Sequence, residues 1–185
     1  MERLEKKYNP SPLGLIGFGL TTILLNLHNA NIIPLSIVIV AMGIALGGLA
    51  QIIAGILAFK NNNTFGGTAF VAYGTFWWSL VLIWMLGGLK VPAADLTSMG
   101  FYLLLWGLFT TVMFIGTLKH NMISRLVFGS LTLLFFLLAL GDFTGLAVIT
   151  RIAGIVGILT GLFAFYDASG QIIHEEYGKK FLPLF

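Results

Sequence analysis

The feature that most constrains the fold is the absence of charge over three long stretches of the chain. No Lys, Arg, Asp or Glu occurs in residues 8–59, 61–89 or 96–118. A helix needs about 20 predominantly apolar residues to cross a bilayer, and each of these stretches is longer than that. Charged residues make up 9% of the chain, against about 25% in a typical soluble domain. The sequence therefore predicts a polytopic membrane protein.

Charges and turn-forming residues divide the chain into six predicted spans. Pro12 and Pro34 suit the first turn of a helix, where a missing backbone N–H is tolerated. The fold class predicted is an all-α membrane protein of six transmembrane helices, with a tail of residues 1–11 and a tail of residues 167–185. The six spans are residues 12–28, 34–59, 66–87, 98–118, 123–141 and 145–166.

Lys and Arg are distributed unevenly between the two sides of this arrangement. Only Lys90 and Arg151 lie on one side. The other side, formed by both tails and the loops after spans 2 and 4, holds Arg3, Lys6, Lys7, Lys60, Lys119, Arg125, Lys179 and Lys180. Cytoplasmic loops carry an excess of Lys and Arg, so both termini are predicted to be cytoplasmic in a multi-pass protein of the cytoplasmic (inner) membrane. The net charge of +3 requires no nucleic-acid partner.

Aromatic–glycine pairs indicate an internal repeat. They recur at intervals of 55 residues as Phe18-Gly19, Tyr73-Gly74 and Phe128-Gly129. The even-numbered spans align on Gly48, Gly107 and Gly154, each of which lies 12 residues before the end of its span. We therefore predict three parallel two-helix repeats around a central path in each protomer. The alternative is chance, because Phe and Gly are both common in this chain.

The repeat places one aromatic ring of each hairpin near a common axis. Residues three and four positions further along a helix share its face, and the even spans carry polar side chains at equivalent places. The candidate substrate-binding side chains are Thr21, Thr22, Asn26, Gln51, Trp77, Thr110 and Thr132. Apolar constrictions with sparse polar linings gate and select in channels and transporters. The sequence thus predicts a neck formed by Phe18, Tyr73 and Phe128.

Each of these side chains could instead serve packing alone. The aromatic rings could fill the core, and Thr21 and Thr22 could donate to carbonyls of their own helix. Asn26 could end span 1, and Gln51, deep in span 2, could join neighbouring helices.

No catalytic or metal-binding motif occurs in the sequence. It has no cysteine, no HExxH, no Walker loop and no GxSxG, so neither an enzyme nor a metal or cofactor site is predicted. Asp95, Asp142 and Asp167 lie at the ends of spans, whereas a proton-relay carboxylate is expected at a span centre. Proton coupling would then use another group, such as the substrate itself.

Residues 9–26, NPSPLGLIGFGLTTILLN, resemble the NPAPLGL signature of the acetate uptake transporter family, also called the GPR1/FUN34/YaaH family. The matching motif at the start of span 1 contains Asn9, Pro10, Pro12 and Gly14, with Ser11 where Ala is usual. Further matches are GGLAQIIAG (47–55), NTFGGTAFVAYGTFW (63–77), YLLLWGLFTTVMFIGTLK (102–119) and SLTLLFFLLALG (130–141). The similarity is closest to the bacterial succinate–acetate permeases.

This resemblance implies a six-helix protomer assembled as a hexamer in the lipid bilayer, with a path for acetate, and with succinate as a further candidate, through each protomer. It implies a constriction that includes Phe18, Tyr73 and Leu131. The repeat predicts Phe128 where the family implies Leu131, so the narrowest point stays open between these two. Channel and proton symporter also stay open. The alternatives are a membrane sensor or scaffold and a pore for another small solute such as ammonia.

Overall fold

The computed structural model describes residues 8–87, 92–179 and 181–183, and within these ranges it consists of six long helices and their connections. The helices are α1 (Ser11–Asn29), α2 (Ile37–Lys60), α3 (Thr64–Leu86), α4 (Leu96–Thr117), α5 (Met122–Thr144) and α6 (Ala147–Tyr177). Each is long and apolar enough to cross a membrane. The prediction of an all-α, multi-pass membrane protein is confirmed. Of the residues used to predict orientation, Arg3, Lys6, Lys7, Lys90 and Lys180 lie outside the described residues.

The sixth helix differs most from its predicted bounds. It continues to Tyr177 instead of ending at residue 166. No proline interrupts the segment from Asp167 to Tyr177, and the helix ends at Gly178, whose φ of 64° is a left-handed conformation that glycine adopts readily. The segment that the sequence assigned to a tail is therefore largely helical, and Asp167 packs inside the bundle.

Side-chain caps fix where three of the helices begin. A side-chain oxygen accepts a hydrogen bond from the backbone N–H three residues later, at 2.8–2.9 Å, which satisfies an amide that the helix leaves unpaired. At Asp95 the hydroxyl of Ser98 also donates, and these bonds from Ser98 hold the pKa of this exposed carboxyl below its usual range. The capping residues are Asn63, Asp95 and Asn121.

The six helices form a ring in chain order that closes between α6 and α1. The backbones of α3 and α4 approach least closely among neighbours. Aromatic rings fill the space between them: Phe76 and Tyr102 stack with centroids 5.8 Å apart, and Phe76 meets Trp106 edge to face at 5.1 Å. These three aromatic side chains therefore bridge α3 and α4.

The glycines of the three aromatic–glycine pairs lie at contacts between helices. A methyl group added to them would come within 2.8–3.1 Å of an atom on another helix. Each glycine lies on the first helix of its hairpin and contacts the second helix of the hairpin before it, where the third hairpin counts as the one before the first. The three contacts are Gly19 with Gly161, Gly74 with Gly48, and Gly129 with Phe114. This cyclic correspondence supports the predicted threefold repeat, which itself stays a prediction.

The middle of α2 is π-helical over Gly43–Ala50, a feature that the sequence did not predict. Such wide turns occur frequently at functional sites. Here the carbonyl of Ile44 accepts a hydrogen bond at 3.0 Å from the indole N–H of Trp78 on α3. Gly47 lies so close to α1 and α3 that an added methyl group would be 2.8 Å from both Thr21 and Trp77. The π-helical segment therefore lets three helices converge beside the interior.

Candidate functional site

A cavity of about 200 Å³ opens at the end of the bundle where α1, α3 and α5 begin. Its mouth is lined mainly by polar groups, and its inner end by aromatic and aliphatic side chains. The mouth residues are Ser11, Asn63, Phe65, His120, Ser124, Asp167 and Gln171. The inner residues include Phe18, Gln51, Tyr73, Val127, Phe128 and Leu131. Neutral groups predominate on this wall, which suits a small solute more than a permanently bound ion.

The inner end of the cavity is the predicted neck. The ring centroid of Tyr73 lies 6.0 Å from that of Phe18 and 6.2 Å from that of Phe128. Leu131, one turn after Phe128 on α5, is 3% exposed and lines the same wall. The structure thus brings together all four residues that were predicted to form the constriction. Which of Phe128 and Leu131 marks the narrowest point stays a prediction.

A hydrogen bond fixes the position of the tyrosine ring. The hydroxyl of Tyr73 donates to Thr110 on α4 at 3.0 Å, and the hydroxyl of Thr110 donates to the carbonyl of Trp106 at 2.7 Å. Phe109 packs edge to face on the same ring, with centroids 5.5 Å apart. Thr110 is fully buried and absent from the cavity wall. Its observed contact is with the neck residue Tyr73.

The predicted polar face of α1 lies behind the cavity wall. Thr21 is fully buried and donates to the carbonyl of Gly17 at 2.7 Å. Asn26 donates to the carbonyl of Thr22 at 2.9 Å. Thr132 on α5 likewise donates to the carbonyl of Phe128 at 2.8 Å. Each of these bonds joins residues four positions apart on one helix, a common arrangement for short polar side chains within helices. The cavity is lined by none of Thr21, Thr22, Asn26 and Thr132.

Asn26 has a specific place between α1 and α6. Its side-chain amide lies against Gly157, where any added methyl group would overlap it. In the predicted repeat Gly157 is the counterpart of Gln51 and Thr110. The amide of Asn26, from the first hairpin, therefore occupies the space beside Gly157 where the other two predicted repeats carry a polar side chain.

Three buried polar atoms have no hydrogen-bond partner within the described part of the chain. They are the hydroxyl oxygen of Thr22, the amide oxygen of Gln51 and the indole nitrogen of Trp77. The other end of the Gln51 amide donates to the carbonyl of Gly47 at 2.7 Å. Unpaired buried polar groups are costly, so atoms of this kind are candidates for contact with water or a passing solute.

The motif at the start of α1 anchors the neck helix at the mouth. Asn9 accepts from the backbone N–H of Ser11 at 3.1 Å and donates to Gln171 on α6 at 3.0 Å. Pro10 precedes the helix and Pro12 lies in its first turn. Gly14 leaves room for the ring of Phe70 from α3, which an added methyl group would overlap. The motif thus joins α1 to α3 and α6 just before Phe18.

Known proteins resemble this chain in both sequence and fold. Residues 2–181 match the GPR1/FUN34/yaaH family. The chain belongs to this family. The succinate-acetate/proton symporter SatP of Escherichia coli (strain K12) is 50% identical over 180 residues, which are 97% of this chain and 96% of that protein. A solved structure of the bacterial acetate channel SatP has a TM-score of 0.94 and 50% identity, and the match covers 96% of this chain and 99% of that one.

A more distant relative is named for a different solute. Ammonia transport outward protein 2 of Saccharomyces cerevisiae is 40% identical over 181 residues, which are 94% of this chain and 64% of the yeast protein. The resemblance read from the NPSPLGL segment is therefore confirmed at the level of the family, and the family includes members named for different small solutes.

Several residues that line the cavity were not among the predicted site residues. His120 falls between predicted spans 4 and 5, and Asp167 and Gln171 fall in the predicted tail of residues 167–185. The sequence contains the information that places Asp167 and Gln171 on α6, since no proline breaks the helix before Gly178. No three His, Cys, Asp or Glu side chains cluster as a metal site would require, within the ranges that the structure describes.

Proposed function

We propose that this protein carries acetate, and with it other small carboxylates such as succinate, across the membrane through the neck of each protomer. The observation that carries the proposal is the cavity that narrows onto Phe18, Tyr73 and Leu131 in a chain of this family. Relatives at 50% identity are named for acetate and succinate. This arrangement supports transport, and not catalysis, as the function.

The lining of the path supports a small carboxylate as the solute. No Lys or Arg of the described residues lines the cavity, so an anion is not held tightly and can leave. The buried indole N–H of Trp77 and hydroxyl of Thr22 have no hydrogen-bond partner among the described residues, and we propose that a carboxylate oxygen accepts from them as it passes. We assign Thr21, Asn26, Gln51, Thr110 and Thr132 to the polar surroundings of this path.

Ammonia is the second candidate solute, because a neutral apolar neck also suits a small uncharged base and one relative is named for it. A pH-sensitive dye inside liposomes that contain the purified protein separates the two solutes. Entry of acetic acid, or of acetate with a proton, acidifies the lumen, whereas entry of ammonia makes it alkaline. We expect acidification by acetate above that in empty liposomes. A response to ammonia alone supports the second candidate. No response to either solute, together with no uptake of labelled acetate, supports a sensor or scaffold.

We also propose that both termini are cytoplasmic in the cytoplasmic membrane, which places the mouth of the cavity on the cytoplasmic side. Lys60 is the last residue of α2 and Lys119 follows α4, both on the side of the mouth. Arg151 lies near the opposite end, at the start of α6. Single cysteines can be introduced at Asn62 and Phe143 and labelled with a membrane-impermeant maleimide in whole cells. We expect labelling only at residue 143, and labelling only at residue 62 would reverse the orientation.

The protomer is proposed to assemble as the hexamer that the family resemblance implies. Large apolar side chains cover its outer surface, including Leu105 at 65% exposure and Val112 at 67%. Lipid and neighbouring protomers can both cover such a surface. Native mass spectrometry of the detergent-solubilised protein should show six copies, and a monomer that persists at high protein concentration would contradict this.

A further inference from the structure

The cavity wall contains one buried carboxyl group that the proposed transport of acetate does not yet use. Asp167 on α6 is 3% exposed and lines the mouth of the cavity. Its carboxylate accepts from the amide of Gln171 at 2.8 Å, and Gln171 in turn accepts from Asn9 at 3.0 Å. Ser124 on α5 lies on the same part of the wall. A neutral amide donor, and no cation of the described residues, is therefore hydrogen-bonded to this carboxyl group.

The charges around Asp167 are few. The titratable side chains on the cavity wall are Tyr73 of α3, His120 before α5 and Asp167 itself, while α1 and α2 contribute no titratable group to it among the described residues. Lys119 and Arg125 belong to the loop and helix next to the mouth, but both are exposed and absent from the wall. An anion that enters the cavity thus meets a carboxyl group and not a cation.

Two carboxyl groups in one small space cannot both be ionised without a large cost, and they share a proton instead. A relative at 50% identity is named a succinate-acetate/proton symporter. We propose that Asp167 is the residue of this chain that holds the coupled proton next to the substrate. The inference rests on the proposed transport of small carboxylates. It concerns how the solute is charged when it reaches the neck.

The proton balance of this step is simple. Asp167 takes a proton from water at the mouth, and its O–H then donates to the carboxylate of the substrate. Transfer of the proton yields the neutral acid and the ionised Asp167, which can take up the next proton. A carboxylic acid of pKa near that of glutamate, ~4.3, is almost fully ionised at pH 7, and an ion pays a high desolvation cost in an apolar neck. Protonation at the mouth removes that cost before Phe18, Tyr73 and Leu131 are passed.

The test measures proton uptake on binding, which needs no transport. Acetate is added to the purified protein in weakly buffered detergent solution, and a pH dye reports the protons taken up per acetate bound. We expect one proton per acetate in the wild type and a loss of this uptake in Asp167→Asn, whose side-chain oxygen can still accept from Gln171. The matched control is Asp142→Asn, because Asp142 on α5 is partly buried but lies off the cavity wall, and it should behave as the wild type.

Each result has a defined meaning. Equal proton uptake in Asp167→Asn and the wild type would overturn the proposal, and so would a loss seen only in His120→Gln. If the wild type binds and transports no acetate, the proposed function fails and not merely this inference. Should Asp167→Asn fail to fold, infrared difference spectra of the wild type with ¹³C-labelled acetate decide. If the two carboxyl groups share a proton, a protonated carboxyl band from the protein or from the labelled acid appears on binding, and its absence from both overturns the proposal.

Discussion

At the scale of single residues, the neck depends on side chains whose surroundings fix their positions. The ring of Tyr73 is held by Thr110 on one side and by aromatic neighbours on the other, and Leu131 fills the remaining space on α5. Aromatic spacing and family resemblance predicted the four neck residues as a constriction, and the structure places them together at the inner end of the cavity. The sequence did not predict the bond between Tyr73 and Thr110, because residues on different helices meet only in the folded protein.

Truncation of Leu131 should widen the neck. In Leu131→Ala we expect lactate and other larger monocarboxylates to pass, since the methyl groups that block them are gone. The change should also cost about 2–5 kcal/mol of stability, as removal of buried leucine methyl groups usually does. The measurement is the ratio of labelled lactate to labelled acetate uptake into liposomes.

Leu134→Ala is the matched control for that ratio. Leu134 lies on the same helix and is 3% exposed, as Leu131 is, but it does not line the cavity. It should be destabilised to a similar extent and keep the wild-type ratio. An unchanged ratio in Leu131→Ala, or an equal change in both variants, would place the constriction elsewhere.

Removal of the tyrosine hydroxyl should loosen the neck without widening it greatly. We expect Tyr73→Phe to lower the free energy of unfolding by about 1 kcal/mol, the usual net value of one hydrogen bond. Thermal melting in detergent measures the change. Tyr166→Phe is the comparison, because that hydroxyl donates to the carbonyl of Pro183 at an exposed site. Equal melting temperatures of Tyr73→Phe and the wild type would show that the bond to Thr110 contributes nothing.

At the scale of helices, charge and turn signals predicted where the chain crosses the membrane, and glycines determine how closely the crossings pack. The starts of α3, α4 and α5 were predicted to within two residues, because polar capping residues mark them. The end of α6 was predicted too early, because the polar residues after Tyr166 looked like a tail although they continue the helix. The π-helical part of α2 had no signal, since it arises from packing of its glycines against α1 and α3.

The contact between α1 and α6 gives a prediction for Gly161. A methyl group there would lie 2.6 Å from the carbonyl oxygen of Gly19, and a backbone atom cannot move aside unless the helices separate. We expect Gly161→Ala to lower the free energy of unfolding by about 1–3 kcal/mol, as overpacking typically does. The melting temperature in detergent should fall accordingly.

Gly87→Ala is the control for this effect. The nearest atom to a methyl group at Gly87 would be 3.6 Å away, which is ordinary contact. This variant should melt close to the wild type. Equal melting temperatures of Gly161→Ala and Gly87→Ala would show that Gly161 is not required for the close approach of α1 and α6.

At the scale of the whole molecule, the ring of six helices produces a path that no single helix contains. Residues of α1, α3 and α5 supply the neck, while α2 and α6 complete the cavity wall. Composition predicted the membrane class, since that depends on patterns within each span, and the spacing between spans predicted which residues of α1, α3 and α5 would lie together. The mouth, with His120, Asp167 and Gln171, depends on which helix ends meet, and that information appears only in the assembled fold.

The central claim is that small carboxylates cross the membrane through this neck. The most direct measurement is uptake of labelled acetate into liposomes that contain the purified wild type, Leu131→Trp or Leu105→Trp. The indole at residue 131 should fill the neck and reduce uptake to the level of empty liposomes. The same substitution at Leu105, which is 65% exposed on the outer surface, should leave uptake near that of the wild type. Uptake by Leu131→Trp equal to that of the wild type, or no uptake by the wild type itself, would contradict the claim.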